Sequence, residues 1–225
     1  MGDLHGNHRA LVHLLNKVNF NYAQDDLIFL GDLADGYPDP HLCLETLLRI
    51  KNLIPIWGNH DLWLKSWLDS KISPQFKKIP SWSHTVSCFE PMREELAAYF
   101  SKCKYYHMEG HSFFTHGGFN HKRVITKQKL TGFCLNRRLY EVAQQYEKQR
   151  IRIKPIFDEQ NSINIKEIFI GHTPTLSHKP HFVSNLINLD TGASNGGVLT
   201  LMEIESKRHW QSPNGKKLYN LKQQT

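Results

Sequence analysis

Short apolar runs alternate with amphipathic runs along the first half of the chain. Residues 9–18 place alanine, leucine and valine at helical spacing, and the apolar run 27–30 predicts a buried strand. Residues 38–51 predict a second helix, and 52–57 predict a second short strand in which Pro55 argues against full regularity. Strands that alternate with helices in this way are typical of an α/β layered domain.

The second half of the chain is richer in strands. Residues 61–68 and 91–102 predict helices, and 104–118 predict a hairpin with a Glu-Gly turn. The turn-rich residues 70–90 have no clear period and predict an irregular insertion over a site. A charged helical region is expected over 126–150. Further strand-like runs occur within 167–173, 182–192 and 196–206.

Composition and charge indicate the general class of protein but do not indicate an activity. The 225 residues suit one domain spanning 1–225, with 40% hydrophobic and 22% charged residues. No apolar run approaches the ~20 residues of a membrane helix, and the first residues lack a signal region, so we expect a cytoplasmic location and no membrane partner. The net charge of +7 favours anionic partners and indicates nucleic acid only weakly. The four cysteines form no CxxC pair, which predicts ordinary reduced thiols.

Five short glycine-containing motifs carry the chemically distinctive residues, and all but the first follow an apolar run. Glycine lets the backbone approach an ion closely, and Asp, His and Asn together suit Mn, Fe, Zn or Co. Each motif alone also suits an ordinary turn, but five in succession at strand ends favour a metal centre. The motifs are Gly2-Asp3-Leu4-His5-Gly6, Gly31-Asp32-Leu33-Ala34-Asp35, Gly58-Asn59-His60-Asp61, His116-Gly117-Gly118 and Gly171-His172-Thr173.

The order GDxHG, GDxxD, GNHD, HGG and GHT resembles the calcineurin-like metallophosphoesterases. Within them it is most similar to the branch that holds bacterial and phage serine/threonine protein phosphatases and symmetrical diadenosine tetraphosphate hydrolases. The resemblance covers residues 2–204. It implies a four-layer α/β fold in which helices flank a central β-sandwich.

The same resemblance predicts a defect at the start of the fold. In this family a buried first strand precedes the GDxHG motif, whereas only Met1 precedes it here. We expect either a truncated reading frame, which we favour, or another segment that fills the place of the strand. A gap would leave backbone groups of the neighbouring strands unpaired, and we expect Asp3 and His5 to be less firmly placed than the other site residues.

The resemblance also implies a role for each motif residue. Two divalent cations, with manganese expected and Fe, Zn, Mg, Co or Ni as alternatives, would lower the pKa of a shared water, and the resulting hydroxide would attack phosphorus. His60 would protonate the leaving oxygen, and Asp35 would keep His60 protonated and oriented. Pro174 stands where some members have a further histidine ligand, so water would complete the first metal. The implied ligands are Asp3 and His5 for the first metal, Asp32 for both metals, and Asn59, His116 and His172 for the second.

The chain departs from the phosphatase pattern at the arginine that normally binds a substrate phosphate through two hydrogen bonds. Gly36 stands in its place, which puts protein-phosphatase specificity in doubt. Arg137 or Arg138 could substitute, although both also suit solvated charges on a helix. Asp61, where protein phosphatases mostly carry Glu, favours the nucleotide-polyphosphate branch slightly and also suits a helix cap.

Three functions stay open at this point. The first is a dimetal-dependent phosphatase acting on a small phosphomonoester or a phosphoprotein. The second is a hydrolase of a nucleotide polyphosphate of the diadenosine tetraphosphate type. The third is a non-catalytic relative that binds metal or nucleic acid. The complete set of ligands, together with His60 and Asp35, favours an enzyme. The sequence contains no signal for the oligomeric state or the native metals.

Overall fold

The computed structural model describes residues 1–70, 80–149 and 165–220. In these ranges no helix is long and apolar enough to cross a membrane. The helices are α1 (His8–Lys17), α2 (Pro40–Leu48), α3 (Asn59–Leu68), α4 (Trp82–Phe89), α5 (Arg93–Lys102), α6 (Gly132–Leu135), α7 (Arg138–Lys148) and α8 (Gly215–Leu218). The strands are β1 (Asp26–Phe29), β2 (Asn52–Pro55), β3 (Tyr106–Glu109), β4 (Ser112–Thr115), β5 (Glu167–Ile170), β6 (His181–Val183), β7 (Leu186–Asn188), β8 (Thr200–Met202) and β9 (His209–Gln211).

The described strands form one larger sheet and two pairs. β1 and β2 are parallel, and β8 and β9 are antiparallel. The larger sheet has the order β3-β4-β5-β7-β6, with parallel pairing among β4, β5 and β7 and antiparallel pairing of β3 and β6 at its edges. This parallel centre brings the carboxyl ends of β4 and β5 to one edge, so the residues that follow them come close together.

Strand side chains alternate between two faces, and each face packs against a different layer. In β4, Phe114 packs in the core between the sheets, whereas Phe113 packs with α7. In β1, Ile28 packs in the same inner core, whereas Leu27 packs with α1 and α2. This period of two builds helix, sheet, sheet and helix layers, which confirms the predicted four-layer α/β fold. The inner core consists of Ile28, Leu30, Ile56, Phe114, Phe169, Ile187, Leu189 and Met202.

Two stretches differ from the sequence prediction. Residues 82–89 were expected to be irregular, but they form α4, because Trp82, Val86 and Phe89 recur at helical spacing within a run rich in polar residues. The rest of that predicted insertion, 71–79, lies outside the described residues. The helix expected over 126–150 is shorter and divided into α6 and α7, and residue 150 lies outside the described part. The hairpin of β3 and β4 is confirmed.

Met1 and Gly2 connect β1 to β8 where the first strand was expected. The Met1 nitrogen donates to the Ile28 carbonyl (2.8 Å), and the Leu30 N–H donates to the Met1 carbonyl (3.0 Å). On the other side, the Gly2 N–H donates to the Thr200 carbonyl at 3.0 Å. These bonds place Met1 parallel to β1 and opposite Phe29.

Next to Met1 lies a cavity of about 560 Å³ between β1 and β8. Its lining includes Ile28, Phe114, Phe169 and Met202 from the inner core, together with Trp210. Exposed acidic residues surround it, and none of the described strands occupies it. Among the described residues, this space lies where the sequence analysis expected either a gap or another segment in place of the first strand. The surrounding carboxylates belong to Asp25, Asp26, Glu109, Glu203 and Glu205.

Candidate metal centre

The predicted ligands converge at the carboxyl ends of the strands, as the motif positions indicated. Asp32 follows β1, His116 follows β4, and His172 follows β5. Two groups have potential ligand atoms that all lie within 4.8 Å of one another, and Asp32 belongs to both. The first group contains His5, Asp32 and His60, and the second contains Asp32, His116 and His172.

Asp32 lies at the centre of this cluster. Its Oδ2 is 3.6 Å from His5 Nε2 and 3.4 Å from His116 Nε2, and its Oδ1 accepts the His60 N–H at 3.0 Å. The Asn59 Oδ1 lies 3.1 Å from the same His116 Nε2. One carboxylate is therefore shared between two sets of nitrogen and oxygen donors, which is the arrangement that a bridging ligand requires.

Backbone carbonyls orient two of the histidines. The His5 Nδ1 lies 3.1 Å from the Ala34 carbonyl, and the His116 Nδ1 lies 2.7 Å from the Leu30 carbonyl. Because a carbonyl only accepts, each Nδ1 must carry the donated proton. In the neutral ring this leaves Nε2 unprotonated and directed at Asp32, so both rings present a ligand atom to the cluster.

Asp3 is held as firmly as the other site residues. Its Oδ2 accepts the His172 N–H at 2.9 Å, and the side chain is buried. A Cβ at residue 171 would lie 2.0 Å from Asp3 Oδ1, so the close packing of the Asp3 carboxylate against the backbone requires glycine at this position. The expectation that Asp3 and His5 are loosely placed is wrong, because hydrogen bonds fix both residues. Asp3 Oδ1 is buried and has no hydrogen-bond partner in the described part of the chain, which fits an atom that coordinates a cation.

Four site residues adopt the left-handed backbone region although none of them is glycine. Their φ angles are 51° at His5, 59° at Asp32, 72° at Asp35 and 67° at His172. This conformation is unfavourable for residues with a Cβ and persists only where the surroundings impose it. The turns that carry these four residues thus hold their side chains around Asp32 at a cost in backbone energy, which is typical of a functional site.

Buried carboxylates give the cluster an excess of negative charge. Burial, followed by the charge of Asp190, raises the pKa of Asp3 well above its ordinary value. Burial, followed by the charge of Asp32, raises the pKa of Asp61 to about 6. Burial would lower the pKa of His116, but Asp32 and Asp3 outweigh it and raise that pKa to about 10. Without a cation the cluster thus retains a proton on His116, and this charge and donor set fit divalent metal ions.

His60 and Asp35 form the pair that the sequence predicted. The His60 Nδ1 lies 2.9 Å from Asp35 Oδ2, and the His60 side chain is 20% exposed at the edge of the cluster. Burial acts to lower the pKa of His60, but Asp32 and the hydrogen bond to Asp35 raise it overall. A protonated imidazole whose Nδ1 is occupied has its Nε2 proton free for an incoming group.

The structure distinguishes the two candidate arginines. Arg137 Nη1 donates to the His172 carbonyl at 2.7 Å and to Thr173 Oγ1 at 3.1 Å. Arg138 is 68% exposed and pairs with Glu141 one turn along α7. Arg137 therefore lies beside a predicted metal ligand, whereas Arg138 is a solvated charge on a helix surface.

Gly36 cannot carry a side chain without movement of the site. A Cβ at this position would lie 2.8 Å from the His5 carbonyl oxygen and 2.9 Å from the His5 Cβ. An arginine here would push His5 out of its place next to Asp32. The packing of His5 against this turn therefore requires glycine at position 36, where the phosphatase pattern has arginine.

Asp61 has a larger role than the helix cap that the sequence suggested. Its Oδ2 accepts the N–H groups of Asp32 and Gly58, both at 2.9 Å, and its Oδ1 accepts the N–H of Leu33 at 2.9 Å. The carboxylate thus joins the first turn of α3 to the turn that carries Asp32. The position of Asp61 directly after Gly58-Asn59-His60 was the sequence signal that it belongs to the site. Its hydrogen-bond partners Asp32 and Leu33 belong to a different motif, so the sequence did not reveal them.

The four-layer fold and the clustered ligands are those of a metallophosphoesterase, a class of metal-dependent hydrolases of phosphate esters. The sequence profile of the calcineurin-like phosphoesterase family matches residues 1–198, and this chain belongs to that family. Its members use a dinuclear metal centre, and the two groups that share Asp32 could hold one here.

Individual relatives extend over nearly the whole chain. A symmetrical bis(5'-nucleosyl)-tetraphosphatase of Proteus mirabilis (strain HI4320) is 27% identical over an alignment of 266 positions, gaps included, which covers 95% of this chain and 96% of that protein. A crystal structure of a protein provisionally described as a diadenosine tetraphosphatase has a TM-score of 0.66 at 18% identity, over 95% of this chain and 91% of that chain. A Saccharomyces cerevisiae protein serine/threonine phosphatase has a TM-score of 0.58 at 12% identity, over 94% and 78%. The two structural similarities support the fold.

Proposed function

We propose that this phosphoesterase hydrolyses a dinucleoside polyphosphate of the diadenosine tetraphosphate type and cuts it symmetrically into two nucleoside diphosphates. The observation that carries the proposal is the similarity to the Proteus mirabilis tetraphosphatase over 95% of the chain. Gly36 supports it, because His5 packs where the side chain of a phosphatase-type arginine would begin. Of the two substrate classes considered for an enzyme, the nucleotide polyphosphate is thus better supported than the phosphomonoester or phosphoprotein.

In this proposal Asp3 and His5 would hold one cation, Asn59, His116 and His172 would hold the second, and Asp32 would be shared by both. When bound, the cations supply Lewis acidity and a nucleophile at neutral pH. The orphaned Asp3 Oδ1 and the two Nε2 atoms directed at Asp32 support the assignment. We propose manganese as the native metal. Asp, His and Asn ligands suit manganese, and they also accept several other divalent ions.

The chain's own residues supply the remaining chemistry. His60 donates its Nε2 proton to the leaving phosphate oxygen, and Asp35 holds the ring by its Nδ1. Arg137 uses Nη1 to hold the His172 carbonyl and binds a non-bridging phosphate oxygen through its other guanidinium nitrogens. The His172 carbonyl and Thr173 Oγ1 keep this side chain beside the cluster, so it needs little reordering when a substrate arrives.

The decisive experiment compares substrates and products. The manganese-loaded protein is incubated with diadenosine tetraphosphate, a phosphopeptide and para-nitrophenyl phosphate, and the products are separated by chromatography. We expect diadenosine tetraphosphate to be the best substrate and to give ADP alone. Release of ATP with AMP would contradict the symmetrical cut. A higher kcat/KM for the phosphopeptide would favour the phosphatase function, and no turnover above that of a His60→Asn variant would leave the non-catalytic alternative.

Arg137→Gln should raise KM for diadenosine tetraphosphate by about tenfold, because a charged hydrogen bond to phosphate is worth roughly 1.5–3 kcal/mol. Arg138→Gln is the matched control, since it removes the same charge one residue further along and should leave KM within about twofold. Steady-state kinetics of both variants measure the effect. Equal losses in the two variants would contradict a specific role for Arg137.

Metal affinity should rise with pH between pH 6 and 9. His116 has a pKa raised to about 10 in the metal-free protein, so below that pH a cation must displace its proton. Each proton released makes the apparent affinity rise about tenfold per pH unit, and the rise ends above the pKa of His116. Calorimetric titration with Mn²⁺ in two buffers of different ionisation enthalpy measures the proton release. A His116→Asn variant should release fewer protons, and a pH-independent affinity in the wild type would contradict the assignment.

A further inference from the structure

Helix α4 packs against the loop that carries Asp35. Its residue Thr85 is 1% exposed and points toward the site. The Thr85 hydroxyl donates to Asp35 Oδ1 at 2.8 Å, while the other oxygen, Oδ2, lies 2.9 Å from His60 Nδ1. The two oxygens of one carboxylate thus have separate partners, one on α4 and one on α3.

A second contact fixes α4 to the same loop. The His84 Nε2 lies 2.8 Å from the Pro38 carbonyl, three residues after Asp35. Phe89, one turn after Thr85 on the same face of α4, is fully buried in the core formed with α1, α2 and α5. The helix is therefore anchored in the core and holds the loop at two points.

The direction of the Thr85 hydroxyl is unusual for a residue inside a helix. A helical threonine commonly donates to the carbonyl four residues earlier, which here belongs to Ser81. Thr85 donates to Asp35 instead. Asp35 needs such support, because its φ of 72° is unfavourable and its carboxylate can rotate about the bond to Cβ.

We propose that Thr85 is a positioning residue that fixes the Asp35 carboxylate and thereby aligns His60 for proton donation. This inference rests on the proposed function, in which His60 protonates the leaving oxygen. The hydroxyl holds Oδ1, so Oδ2 stays directed at Nδ1 and the ring keeps its Nε2 toward the substrate. A purely structural tether would stabilise α4 without affecting the proton transfer.

The two roles differ in how activity depends on the leaving group. Phenyl phosphate releases a weakly acidic phenol and needs a proton donor, whereas para-nitrophenyl phosphate releases a stable phenolate and needs little help. Thr85→Val keeps the shape and removes the hydroxyl, and Thr85→Ser keeps the hydroxyl. Ser87→Ala is the control on the exposed side of α4, where the Ser87 hydroxyl donates to the His84 carbonyl at 2.8 Å and makes no contact with Asp35 among the described residues.

We expect T85V to lower kcat for phenyl phosphate by about tenfold and kcat for para-nitrophenyl phosphate by less than about twofold, with KM unchanged. T85S should recover kcat for phenyl phosphate to within about twofold of the wild type, and S87A should match the wild type. Equal losses on both esters in T85V, or no recovery in T85S, would overturn the positioning role.

A second measurement uses the protein without turnover and loaded with diamagnetic Mg²⁺, because paramagnetic Mn²⁺ would broaden the proton resonances of the site. The proton on His60 Nδ1, hydrogen-bonded to Asp35, should give a downfield ¹H resonance that disappears in His60→Asn. We expect T85V to shift or broaden this resonance and T85S to retain it. An unchanged resonance in T85V would refute the alignment. If the wild type does not hydrolyse diadenosine tetraphosphate, the proposed function fails, and the resonance still tests whether Thr85 fixes Asp35.

Discussion

Replacing Asp32 with asparagine is expected to lower metal-dependent hydrolysis by on the order of 10³-fold or more. Asp32 Oδ2 lies between His5 Nε2 and His116 Nε2, so this carboxylate is the shared element of both candidate ligand groups. An amide keeps the shape but presents a single neutral oxygen and an NH₂ group, which cannot bridge two cations. Hydrolysis of diadenosine tetraphosphate at saturating Mn²⁺ measures the loss.

Thermal unfolding provides an independent readout for the same variant. A ligand that binds only the folded state raises the melting temperature, so Mn²⁺ should stabilise the wild type and should stabilise Asp32→Asn far less. Asp69→Asn removes a carboxylate that is 41% exposed at the end of α3 and is the matched control. If Asp32→Asn and Asp69→Asn gained equal stability from Mn²⁺, Asp32 would not be the bridging ligand.

The parts of the fold that follow from local pattern were predictable from the sequence. The apolar runs 27–30 and 168–170 predicted β1 and β5, and the Glu-Gly turn between two short runs predicted the hairpin that contains β4, because these signals are local. Glycine next to Asp, His or Asn after such runs indicated most of the candidate ligands, because strand ends converge in α/β sheets. The α4 helix was missed, since its apolar positions are few and the polar ones suggested a loop.

Other features depend on contacts between distant segments, and the sequence could not supply them. Arg137 and Arg138 are neighbours in sequence, yet only one reaches the His172 carbonyl. Asp61 was recognisable as a cap of α3, but its bonds to Asp32 and Leu33 connect residues about thirty positions apart. The direction of a side chain on a helix or turn decides these cases, and it is set by tertiary packing.

Filling the cavity next to Met1 with an added strand is expected to stabilise the protein. An engineered extension Lys-Val-Ile-Val before Met1 should raise the free energy of unfolding by up to about 3 kcal/mol and the melting temperature by up to about 10 °C. Met1 already lies parallel to β1 and opposite Phe29, so the added residues would continue this pairing along Asp26–Ile28. The added lysine would then lie near Asp25 and Asp26, where the carboxylates favour it.

The size of this effect follows from opposing terms. Alternate added side chains would pack against Phe114 and Phe169 in the cavity, where burying each aliphatic side chain contributes about 1.5–3 kcal/mol. Ordering four residues costs about 6 kcal/mol in all, against a gain of about 4.5–9 kcal/mol if the three aliphatic side chains are buried, so the net stabilisation is at most about 3 kcal/mol. An extension Lys-Asp-Pro-Asp has the same length but buries charges and lacks one N–H, so it should give no stabilisation. If both extended proteins melt at the temperature of the original chain, the cavity does not accept a strand, and the β1 and β8 edges are stable with Met1 and Gly2 alone between them.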